Sequence, residues 1–158
     1  MGAKARPRAP RPDQQPRRQG LSREGRVRLF RWLTGIYLAL LMVATHWPKS
    51  QLPERQQAGG LSSDLVAHLL AYGILASLMV RSWRVGMPLA RRCLWTFLLC
   101  AAIGAVDELT QPWFGREADL WDWVFNMVGA SLALIGTVVF DRTRQADANR
   151  PFDNLMGR

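Results

Sequence analysis

The sequence predicts an all-α integral membrane protein: a four-helix bundle with both termini cytoplasmic and a disordered, basic N-terminal tail. Three features carry that expectation. Residues 32–48, 65–80, 93–106 and 123–140 contain no Asp, Glu, Lys or Arg. The seven tryptophans fall at or near the ends of these stretches, none in a middle. Lys and Arg, finally, are divided very unequally among the connections. A helix on a soluble surface needs charges every three or four residues on its solvated face. None recur here, and near-continuous apolar sequence of helical length points to lipid outside.

The whole-chain composition suggests something else. With 49% hydrophobic residues, 21 Lys/Arg against 12 Asp/Glu and a net charge of +9, 158 residues read as one small basic domain. Locating the charge removes that reading and, with it, nucleic acid as the expected partner. Residues 1–31 hold ten Lys/Arg and only Asp13 and Glu24, so the body is nearly neutral. Residues 1–26, rich in Arg, Pro, Gln and Gly, are expected to be a disordered cytoplasmic tail. A four-span membrane domain should occupy 27–142, and a short cytoplasmic C-terminal tail 143–158. The tail charges set topology, and a juxtamembrane basic cluster also attracts anionic lipid, at about 1 kcal/mol per residue.

The first span, 32–48, has 17 residues and reaches only about 25 Å, short of a bilayer core of roughly 30 Å. It must therefore run into polar flanks, and Trp32 and Trp47 mark its ends as interfacial. No convincing cleavage site follows Ala44, so this span is expected to stay as a signal anchor. Ser62 or Ser63 can cap the second helix. The third follows Pro88, and Pro48 and Pro112 also lie in connections or at segment ends, where a missing N–H costs least. Cys93 and Cys100 stand about 10.5 Å apart along the third helix, too far to bridge. The fourth helix can be capped by Asp119, with Asp122 in its first turn.

Eighteen Lys/Arg lie in the N-terminal tail, in 81–92 and in 141–158; only Lys49, Arg55 and Arg116 lie in the other two connections. The positive-inside rule then places both termini in the cytoplasm and makes this a multi-pass protein of the plasma membrane.

Ionisable groups within spans cost at least roughly 2.5–3.5 kcal/mol each near the bilayer centre, so their positions are informative. Asp64, His68 and Tyr72 share one face of the second helix at i, i+4 and i+8. The third helix ends in Asp107, Glu108 and Gln111; Arg116 follows, and the fourth begins with Asp122 and Asn126. On this topology all of them fall in the extracytoplasmic half. Asp107 and Glu108 sit where the helix dipole disfavours anions, and Arg116 is their expected partner. The two acids are about 100° apart around the helix, so only one should face a shared cavity squarely. Small residues spaced by four (Ala67 and Ala71, Ala101 and Ala105, Gly129 and Ala133) permit close packing.

This ordered set resembles the VanZ-like membrane protein family. The matching residues are Asp64, His68 and Tyr72, then Asp107, Glu108 and Gln111, then Gly115, Arg116, Asp122, Asn126 and Gly129, within about residues 29–140. The resemblance implies a four-helix membrane fold and a link to the cell envelope and to glycopeptide (teicoplanin-type) resistance. Two functional readings follow. The first is a protein that binds or shields an envelope lipid or amphiphile at the outer interface, with membrane lipids and a lipid-linked envelope precursor as partners. The alternative is a membrane-embedded enzyme using His68 with Glu108 or Asp122 as acid/base or as metal ligands. There is no G-x-S-x-G nucleophile motif and no H-E-x-x-H. One histidine with scattered carboxylates fixes neither a metal nor a cofactor. Transport has little support, because internal repeats and paired broken helices are missing.

Overall fold

The structure, a computed structural model, describes residues 21–47, 63–115 and 118–156, with backbone alone at 63–64 and 149–156. The described residues form four α-helices: α1 (Arg23–Thr45), α2 (Ser63–Ser82), α3 (Leu89–Thr110) and α4 (Leu120–Met156). All four are long and apolar enough to cross a membrane, and there is no strand among the described residues. The N-terminal tail, apart from its last residues, lies outside the described residues.

Local chemistry sets the ends. The hydroxyl of Ser22 accepts from Gly25 N–H at 3.0 Å, and Glu24 lies in the first turn of α1. Both suit the positive end of a helix. The α2–α3 connection turns through Gly86 at φ +90°, a backbone conformation that needs glycine. A 3-10 turn (Gln111–Phe114) extends α3 and closes at Gly115, φ +70°. Asp119 Oδ1 accepts from Trp121 N–H at 2.8 Å, capping α4. From there α4 is helical for 37 residues, so the stretch after 142 continues the helix.

The packing is inside-out for a water-soluble protein. Ile36, Leu40, Ile74, Leu98, Ile135 and Val139 are exposed, while His68, Asp107, Glu108, Gln111 and Asn126 are buried. Apolar side chains outward and polar ones inward is the arrangement lipid selects. Trp32, Trp47, Trp95, Trp113 and Trp121 are exposed as well. Trp83 and Trp123 spend their indole N–H groups on Thr96 Oγ1 (2.9 Å) and Ala101 O (3.1 Å).

The α2–α4 pair is the centre of the bundle, with α1 on α2 and α3 on α4. Gly129 makes this possible: a Cβ there would collide with the carbonyl oxygen of Leu69. Helices alternate in direction, so the C-terminal ends of α1 and α3 meet the N-terminal ends of α2 and α4. At the other end Arg31 Nε donates to Ser82 O at 3.1 Å. There Arg23, Arg26, Arg81, Arg84 and Arg92 line a cavity of about 320 Å³. Among the described residues the arginines thus collect at one end and the buried polar residues at the other.

Candidate functional site

Three helices deliver the buried polar side chains to one place. His68 projects from the second turn of α2, Glu108 from the last turn of α3, and Asp122 and Asn126 from the first two turns of α4. His68 Nδ1 lies 3.1 Å from Asn126 Oδ1. His68 Nε2 lies 3.4 Å from Asp122 Oδ2, and the two side chains are 8% and 15% exposed. An amide oxygen can only accept, so Nδ1 carries the imidazole proton and donates it to Asn126. Nε2 is left to face the carboxylate.

Glu108 is fixed from outside the cluster. The backbone N–H of Asp119 donates to its Oε2 at 3.1 Å, which ties the carboxylate to the start of α4. Gln111 Nε2 approaches Oε1 at 3.5 Å, one helical turn on. One ligand-type atom each from His68, Glu108 and Asp122 lies within 4.8 Å of the others. Tyr72, one turn deeper than His68 on the same face of α2, is fully buried. Gly104 keeps this floor tight, because a Cβ there would meet Tyr72 Cε1 at 3.4 Å and Asn126 Nδ2 at 3.4 Å. Among the described residues, the buried Tyr72 Oη, Gln111 Oε1 and Asn126 Nδ2 have no hydrogen-bond partner.

Asp107, whose Oδ2 is buried without a partner among the described residues, also belongs to a second group. Thr45 Oγ1 donates to its Oδ1 at 2.6 Å, and His46 Nδ1 lies 3.6 Å from the same oxygen. His46 is held on both ring nitrogens: Nδ1 by Met42 O at 2.8 Å, Nε2 beside Thr110 Oγ1 at 2.8 Å. The ring of Phe114 stands edge-on to it at 4.7 Å. This group latches the end of α1 to the end of α3.

The two adjacent acids therefore diverge, Asp107 toward α1 and Glu108 toward α2 and α4. His68, Glu108, Gln111, Asp122 and Asn126 come together, with Tyr72 below them. Asp64 lies in the first turn of α2, where only backbone is described, and Arg116, the expected partner of an acid, lies outside the described residues. Sequence reasoning missed Thr45 and His46. Neither has a formal charge, so the first span read as featureless; the signal was the same one, polar residues at the end of a span away from the arginines.

A family model described as VanZ/LLP1 matches residues 34–141, more than half of the chain and all of this cluster. No curated protein and no solved structure matches.

Proposed function

The chain belongs to the VanZ/LLP1 family, and from that premise we propose that the buried cluster binds the polar head of an envelope lipid or lipid-linked amphiphile. The site lies on the extracytoplasmic side, and occupation shields the head group from glycopeptides of the teicoplanin type. One observation carries this reading. Tyr72 Oη, Gln111 Oε1 and Asn126 Nδ2 are buried and unpartnered beside His68. Each such group costs about 1–3 kcal/mol, and clustered at one end of an apolar bundle they are a ready set of donors and acceptors. The hydroxyl and amide N–H groups suit phosphate or sugar oxygens, and the amide oxygen suits a sugar hydroxyl. The lipid tails of such a ligand would lie along the exposed leucines and isoleucines.

A susceptibility assay tests it. Cells expressing the wild-type chain should tolerate more of a teicoplanin-type glycopeptide than cells expressing His68→Ala at equal membrane abundance. Equal tolerance at equal abundance contradicts the reading.

A further inference from the structure

We propose that His68, Glu108 and Asp122 form a binding site for a divalent transition metal, Zn²⁺ being the best match to the donor set. Three helices each contribute one ligand, and the ligand atoms lie within 4.8 Å of one another. A tetrahedral zinc with bonds of about 2.0–2.2 Å separates its ligand atoms by roughly 3.3–3.6 Å. His68 Nε2 and Asp122 Oδ2 already stand 3.4 Å apart. That spacing is long for a hydrogen bond between them and right for two ligands of one ion.

The surroundings orient the ligands as a metal requires. Asn126 Oδ1 accepts a hydrogen bond from His68 Nδ1–H, which leaves the Nε2 lone pair directed at Asp122. Asp119 N–H holds Glu108 Oε2 and Gln111 Nε2 approaches Oε1, which fixes the carboxylate beside His68 and Asp122. Two carboxylates and a divalent cation sum to zero charge, which an apolar bundle favours. The imidazole argues against Mg²⁺ and Ca²⁺, which prefer oxygen ligands alone, and for zinc. His46 is not a candidate, because both its ring nitrogens are engaged by protein groups. Three protein ligands leave a fourth position open. That position would take a phosphate oxygen of the head group, a step that rests on the reading above; the metal site itself does not.

The test uses the full chain, purified in detergent without a polyhistidine tag, stripped with EDTA and titrated with Zn²⁺ alone. The expected result is one zinc per chain by elemental analysis, with a rise in the thermal midpoint of the wild type on loading. Glu108→Gln and His68→Ala should lose stoichiometric binding. Asn126→Ala should weaken it about 10–100-fold through loss of the orienting bond, and His46→Gln should keep it. Absence of stoichiometric uptake by the wild type overturns the proposal even if every variant misfolds. Retained one-to-one binding in His68→Ala overturns it as well. A wild type that takes up zinc but binds no envelope lipid, loaded or stripped, would end the head-group reading and keep the metal site.

Discussion

Gly129 decides how close the two central helices come. Its missing side chain lets α4 rest on the backbone of α2, with the Leu69 carbonyl oxygen where a Cβ would be. Backbone cannot step aside as a flexible side chain can, so Gly129→Ala must push the helices apart. We expect a loss of about 1–3 kcal/mol or more, read as a lowered thermal midpoint in detergent. Gly136→Ala on the same helix, with nothing within 4 Å, should leave the midpoint unchanged. Residues such as His68, Glu108 and Asn126 stood out in the sequence because polar groups are costly in apolar spans. What the sequence did not display is which polar groups meet. Adjacent Asp107 and Glu108 look alike in one dimension, yet the 100° between them sends one to Thr45 and the other to the His68 group. Thr45 and His46 were invisible to a search for formal charge.

At the scale of elements, the spans were legible as charge-free runs, while their ends were not. Helix α1 starts at Arg23 and α3 at Leu89, ahead of Arg91 and Arg92. Charged first turns look like connections in a sequence, but a helix that must cross roughly 30 Å of hydrocarbon carries them along. The same holds for α4, whose extension past Asp141 has no apolar signal. Among the described residues its buried apolar side chains are Met127, Ala130 and Leu134, well before that point. Deleting residues 149–158 should therefore shift stability by no more than about 0.5 kcal/mol, measured as an unchanged thermal midpoint in detergent. A large drop would mean that the extension of α4 packs on the bundle.

The whole molecule is polarised along its axis. Among the described residues, arginines gather at one end, the buried polar cluster at the other, and exposed leucines and isoleucines lie between them. The positive-inside rule turns that polarity into an orientation. Single cysteines at positions 57 and 115, in a background without Cys93 and Cys100, should react with an impermeant maleimide from outside. A cysteine at position 84 should react only after permeabilisation. External labelling at 84 would invert the protein and put the polar cluster in the cytoplasm.

The lipid content of the purified protein tests the central claim most directly. Wild type and a Tyr72→Phe, Asn126→Leu double variant, extracted from the same membranes and matched for folded yield, are compared by quantitative mass spectrometry of bound lipids. The two substitutions roughly conserve volume and remove Tyr72 Oη and Asn126 Nδ2, buried groups without partners, together with Asn126 Oδ1, the acceptor of His68 Nδ1–H. A head-group site predicts one envelope lipid or lipid-linked amphiphile in stoichiometric amount on the wild type and at least tenfold less on the variant. Equal amounts of that lipid on both proteins, or none in stoichiometric amount on the wild type, would contradict it.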